Sequence, residues 1–228
     1  MTVALVVFVV SAALIAGAVW GIYLPFPPRV DGAVLAFAGG ALITSLTFEL
    51  IEPAARTTSV MWASAFLIAG AVVFTVIDYA IDEWWGSDKG GGILAAVTLD
   101  GIPENLALGV ALIGASTSEV AALAAAIFAS NLPEAAGGAS DLAGSGWSHK
   151  RALGLWVLTA VLLSAAAIIG YVFFDGATDH TLGAVRSFAA GAVIASLATE
   201  VFPKAFRDAR DEVGIAVAAG FVFAFALG

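Results

Sequence analysis

The sequence predicts an all-α polytopic membrane protein with eight spanning helices, on three observations. Of its 228 residues 61% are hydrophobic and only 12% are charged, whereas soluble domains run near half apolar and a quarter charged. The apolar residues gather into eight continuous runs of about 20, the length a helix needs to cross a bilayer. Those runs are too unbroken, and too rich in Ala and Gly, for the short alternating strands of a membrane barrel. No stretch remains for a soluble domain, so residues 1–228 are expected to form a single transmembrane domain. A formal net charge of -9 argues against nucleic acid or anionic lipid as a partner. The absence of cysteine excludes disulfides, thiolate zinc sites and thiol chemistry.

The eight runs follow in order. The first, 2–22, has no Lys or Arg before it and is long enough to span, unlike a cleaved signal peptide. Trp20 and Tyr23 at its end suit the lipid interface. The second, 31–51, opens behind Arg29 and closes at Glu52 and Pro53. The third, 60–81, has Asp78 marking its end, with Trp84 and Trp85 as interfacial aromatics and the flexible linker Gly86 to Gly92 beyond. The fourth, 92–114, and the fifth, 119–140, each carry an internal proline, Pro103 and Pro133. The sixth, 151–174, starts at Lys150 and Arg151. The seventh, 182–203, and the eighth, 212–228, flank a charged stretch. Gly39, Gly40, Gly137 and Gly138 are expected close-packing points between helices.

Seven cations (Arg29, Lys89, Lys150, Arg151, Lys204, Arg207 and Arg210) fall in or beside the odd-numbered connections, and only Arg56 and Arg186 fall on the other side. The positive-inside bias then puts the odd connections in the cytoplasm and both termini outside. A repeat is also legible. FAGGALITSLTFELIEPAAR from Phe37 and FAAGAVIASLATEVFPKAFR from Phe188 agree at ten of 20 positions, including Glu49 with Glu200 and Arg56 with Arg207. The two runs cross in opposite directions. That predicts an inverted repeat of segments 1–3 onto 6–8, a 3+2+3 arrangement of the kind secondary transporters use.

The acids inside the runs carry the chemistry. Asp100 and Glu104 lie in segment four, Glu134 in segment five beside Ser130 and Asn131, and Glu49 and Glu200 deep in segments two and seven. An ionised carboxylate at mid-membrane costs about 3 kcal/mol on insertion scales. Such acids are therefore protonated or neutralised by a cation from outside the sequence. Asp100 and Glu104 are spaced i,i+4, as are Ser130 and Glu134, so each pair shares a helix face. Pro103 and Pro133 free the carbonyls of Leu99 and Ala129, which persists at membrane depth only in a protein interior or along a cavity. Asp100, Glu104, Ser130, Asn131 and Glu134 on two antiparallel kinked helices would form an oxygen cage for a divalent cation. Ser130 and Asn131 serve equally as caps for the freed carbonyls.

The two stretches DGIPEN (Asp100 to Asn105) and SNLPEA (Ser130 to Ala135), with the Pro-bearing ends of segments two and seven, resemble the ZIP (Zrt/Irt-like) family of divalent metal transporters in a divergent prokaryotic-type form. The resemblance implies eight spans in a 3+2+3 inverted repeat, both termini outside, a possible homodimer, and inward movement of zinc, iron or manganese across the cytoplasmic membrane by alternating access. It implies no prosthetic group, the metal being cargo, and no enzymatic activity. Asp100, Gly101, Pro103 and Glu104 fall on the family's His-Asn-x-Pro-Glu motif, and Ser130, Asn131, Pro133 and Glu134 on its counterpart. Asp100 and Ser130 replace imidazole or amide ligands, Gly101 replaces Asn, and segment six has no acid before Asp175, which removes support for a second metal position. An all-oxygen set favours harder ions. The competing function is a proton-coupled exporter of a small solute, its acids relaying protons. An intramembrane metal hydrolase would need histidines inside the spans, and His149 and His180 lie in or beside connections.

Overall fold

The computed structural model describes residues 3–24, 27–85, 90–113 and 117–227, except for the side chains of 82, 84–85, 90–97, 100, 117–119, 122 and 227. Trp84, Trp85, Lys89 and the 86–92 linker, named above, fall outside the described residues or side chains. The described chain is helical throughout, in eight continuous helices that coincide with the eight apolar runs. They are α1 (Val3–Tyr23), α2 (Pro28–Thr57), α3 (Val60–Trp85), α4 (Gly90–Ala111), α5 (Thr117–Gly144), α6 (His149–Phe174), α7 (Asp179–Ala209) and α8 (Glu212–Leu227). Among the described residues, α1, α2, α3, α6 and α7 are long and apolar enough to cross a membrane, and α8 is a shorter apolar helix.

Local chemistry sets the boundaries. Pro28 occupies the first turn of α2, where its missing N–H costs nothing. Ser148 and Thr178 cap α6 and α7 by accepting from the backbone N–H of Arg151 and Thr181. Gly146, at φ 91°, and Gly176, at φ 77°, supply the left-handed residues that turn the chain after α5 and α6. Asp78 does not end α3, which continues to Trp85 because apolar and aromatic residues follow it.

Helices α2 and α7 share a departure from α geometry. Each contains a π-helical stretch, Leu46–Ile51 in α2 and Leu197–Val201 in α7, ahead of Pro53 and Pro203. A proline cannot donate to the carbonyl four residues before it, and a wider turn there absorbs the mismatch. Thr47 and Thr199 each donate a hydroxyl to the carbonyl four residues back, at 2.7 and 3.0 Å.

The most extensive packing joins α1 to α5, α4 to α6, α2 to α8 and α3 to α7. Glycine permits these approaches. Gly40 on α2 lies against the Val217 carbonyl of α8 and Gly220 on α8 against the Phe37 carbonyl, so a Cβ at either would strike backbone. In the α3–α7 pair, Gly191 meets the Leu67 carbonyl and Gly70 the Phe188 carbonyl. Gly40 and Gly191, and Phe37 and Phe188, are aligned positions of the 20-residue match.

Helices α2, α4, α5 and α7 enclose the largest apolar core, with Leu42, Leu46, Leu108, Leu123, Ile127 and Leu197 all buried. Outward-facing residues are apolar as well, among them Ile68, Val72 and Val76 on α3, Ile169 and Val172 on α6, and Ile215 and Val222 on α8. An apolar exterior of this extent is a surface for lipid.

Candidate functional site

Pro103 and Pro133 both sit inside continuous helices, α4 and α5. Their polar neighbours point into the bundle. Ser130 is buried and donates its hydroxyl to the Ile127 carbonyl at 3.0 Å, leaving its oxygen lone pairs for another partner. Asn131 is 1% exposed, and its Nδ2 has no hydrogen-bond partner among the described residues. An unpaired buried N–H of this kind costs about 1–3 kcal/mol and calls for a hydrogen-bond acceptor, whereas Oδ1 is the atom of this side chain able to face a cation. Asn105, also 1% exposed, donates to the Gly101 carbonyl at 2.9 Å. It closes the DGIPEN stretch, and the sequence offered only its position as a sign of this bracing role.

Glu104 and Glu134 are half-buried, and both have partners within the protein. The Asp100 side chain lies outside the described residues, although its backbone is within α4. Among the described residues, no three His, Cys, Asp or Glu side chains are gathered closely enough to hold a metal. The described part of the expected cage is therefore Glu104 from α4 with Ser130, Asn131 and Glu134 from α5. One to two turns away, Ala107 and Leu108 of α4 join the same apolar cluster as Leu123 and Ile127 of α5.

Glu49 and Glu200 are half-buried, partnered, and each placed in a π-helical stretch. The repeat aligned them by sequence, and their unusual local backbone is shared too. The sequence clue was the proline following each acid by three or four residues. Glu52 is paired with Arg56 at 2.5 Å near the end of α2, a solvated pair as its position suggests. His149 opens α6 with its ring edge-on to Tyr23, and His180 is exposed in the first turn of α7.

A polar cavity of about 250 Å³ lies at the end of the bundle where α2 and α6 begin and α5 and α7 end. Asp31, Ser140, Asp141, Lys204, Arg207 and Asp208 line it. Ser130, Glu134, Gly137 and Asp141 recur at helical spacing on α5, so one face of that helix leads from the motif to the cavity. Lys204 Nζ reaches within 3.6 Å of Asp31 Oδ2, their side chains 26% and 11% exposed, and Gly137 leaves room for the ammonium group. The sequence placed Lys204 only among the orienting charges. Its pairing with a residue 173 positions away has no local signal. Gly138 packs on the Trp156 ring and Gly39 on Phe202, the close-packing roles expected of them.

No family model matches the chain. It is 26% identical to a protein of Arabidopsis thaliana named as a candidate zinc transporter, over 91% of this chain and 35% of that relative. The chain thus spans about a third of the relative's length.

Proposed function

We propose that this chain moves a divalent metal cation of the zinc, iron or manganese class across the cytoplasmic membrane, inward, as a ZIP-type secondary transporter. The observation that carries the proposal is the pair of Pro-Glu motifs on α4 and α5, with Ser130 and Asn131 buried beside Glu134. Carboxylate, hydroxyl and amide oxygens replace the ion's hydration shell, and the ion in turn supplies the positive charge that mid-span acids require. Asp100, Glu104, Ser130, Asn131 and Glu134 are the ligand set. Glu49 and Glu200 belong to the route. The zinc-transporter relative supports the cargo class.

The paired contacts of α2 with α8 and α3 with α7, made through aligned glycines, support a 3+2+3 inverted repeat across residues 1–228. Opposite crossings of the same unit are the usual basis of alternating access. In this scheme the seven basic residues of the odd connections face the cytoplasm, and the polar cavity is the cytoplasmic mouth. Metal uptake by cells depleted of each candidate ion tests the assignment. Glu104→Ala and Glu134→Ala are expected to abolish uptake, and unimpaired uptake in both would overturn the site. Asp100→His is expected to shift preference toward zinc, since it introduces the softer imidazole ligand.

A further inference from the structure

At the end of the bundle opposite the polar cavity, α7 and α4 are joined by a contact that the transport proposal does not use. Arg186, half-buried in the second turn of α7, donates through Nη2 to the carbonyls of Ile113 at 3.1 Å and Val110 at 3.4 Å. Those carbonyls belong to the last turn of α4 and the residues just past it. The Val110 carbonyl also accepts the Ile113 backbone N–H at 3.1 Å, and both carbonyls lie at the negative dipole end of α4. A guanidinium is therefore a strong and directional clasp for them. One turn before Arg186, Gly183 lies against Thr57, Thr58 and the Ala54 carbonyl at the end of α2. The start of α7 thus ties the ends of α2 and α4 together. Leu108 and Ala111, close to the end of α4, join Leu123 and Ile127 of α5 in one apolar cluster.

At the other end, where α5 rather than α4 terminates, the corresponding space is the cavity lined by Asp31, Asp141 and Lys204. The position aligned with Arg186 in the 20-residue register is Leu35 on α2, buried with Ala36 and Ala205 and unable to clasp a carbonyl. Among the described residues the two mouths therefore differ: one is bridged by Arg186 beside an apolar cluster, the other is a polar cavity.

We propose that Arg186 is the latch of the non-cytoplasmic gate: its bonds to the end of α4 hold the pathway shut on that side, and releasing them exposes the α4–α5 motifs there. This inference rests on the transport reading of the site, but its test does not. The chain has no cysteine, so single cysteines report accessibility without background. Ala111→Cys places a thiol behind the latch, and Ser140→Cys places one in the cavity. Sealed vesicles of both orientations are treated with a membrane-impermeant maleimide. With Arg186 present, Ser140→Cys is labelled from its own side and Ala111→Cys is protected from the other. Adding Arg186→Ala should raise labelling of Ala111→Cys about tenfold or more, the scale of a charge-assisted hydrogen bond, with Ser140→Cys still labelled. Arg186→Lys keeps the charge without the fork and should fall between. Should Arg186→Ala not fold, Arg186→Gln is read in the same way. Equal protection of Ala111→Cys in every variant would overturn the latch. Increased labelling in a protein that binds no divalent ion would leave the latch standing and remove the metal cargo instead. Retained ion binding with unchanged labelling would do the reverse.

Discussion

The two ends of the bundle are built on similar crossings and filled with opposite chemistry. Where α5 ends against the start of α2, Asp31, Asp141, Lys204 and Asp208 surround about 250 Å³ of space. Where α4 ends against the start of α7, Leu108, Ala111, Leu123 and Ile127 belong to one apolar cluster among the described residues, and Arg186 bridges the rim beside buried Ser187. The proposed transport function would use such a difference, because an ion released on one side must find the other closed. The described residues make one end a polar cavity and place an apolar cluster near the other, and substitutions at each end should have different costs.

The largest expected effect lies at the Arg186 end. Leu123→Ala removes a side chain 1% exposed near the start of α5 and should destabilise the protein by about 3 kcal/mol. Ser140→Ala in the cavity should change stability by less than about 0.5 kcal/mol. Thermal unfolding in detergent distinguishes the two, and equal losses would remove the contrast between the ends. Next comes the ion pair in the cavity wall. Lys204→Met leaves Asp31 mostly buried beside Asp208 and Asp141, at a cost of about 2 kcal/mol, reduced from the fully buried case because Lys204 is a quarter exposed. Adding Asp31→Asn should recover most of that loss, and a double-mutant cycle measures the coupling. Recovery absent from the cycle would mean that the two groups do not interact. The smallest effect belongs to the rim. Arg29 and Glu212 form a two-point contact at 3.0 and 2.6 Å, but both are exposed. Arg29→Ala should leave the melting temperature unchanged at physiological salt.

These contrasts also mark what was legible in the sequence. The eight helices were, because apolar runs bounded by charge and proline are a local signal that a bilayer makes unambiguous. Helix-end details such as the extension of α3 past Asp78 were not, since an isolated acid does not stop a helix whose flanks stay apolar. Of the candidate site, Ser130 and Asn131 were placed in the interior by their spacing from Pro133, and the structure buries both. The π-helical backbone around Glu49 and Glu200 was hidden, because sequence periodicity does not distinguish a wide turn from a kink. The Asp31–Lys204 pair and the Arg186 clasp join residues 173 and 73 positions apart. Such contacts follow from helix packing, which no single run encodes. Arg186 looked like a weak exception to the positive-inside pattern, whereas the structure gives it a partner that explains its place.

The central claim is that mid-membrane carboxylates bind a divalent cation, and ion-dependent stabilisation of the purified protein tests it most directly. Zn²⁺, Mn²⁺ or Fe²⁺ is expected to raise the melting temperature of the wild type, because a ligand that binds only the folded state stabilises it. Glu134→Ala should lower the apparent affinity by on the order of 100-fold or more. The stabilisation should also shrink as pH falls into the carboxylate range, since protons compete with the ion for the same oxygens. A melting temperature unmoved by all three ions at neutral pH would contradict the account and favour acids that relay protons instead.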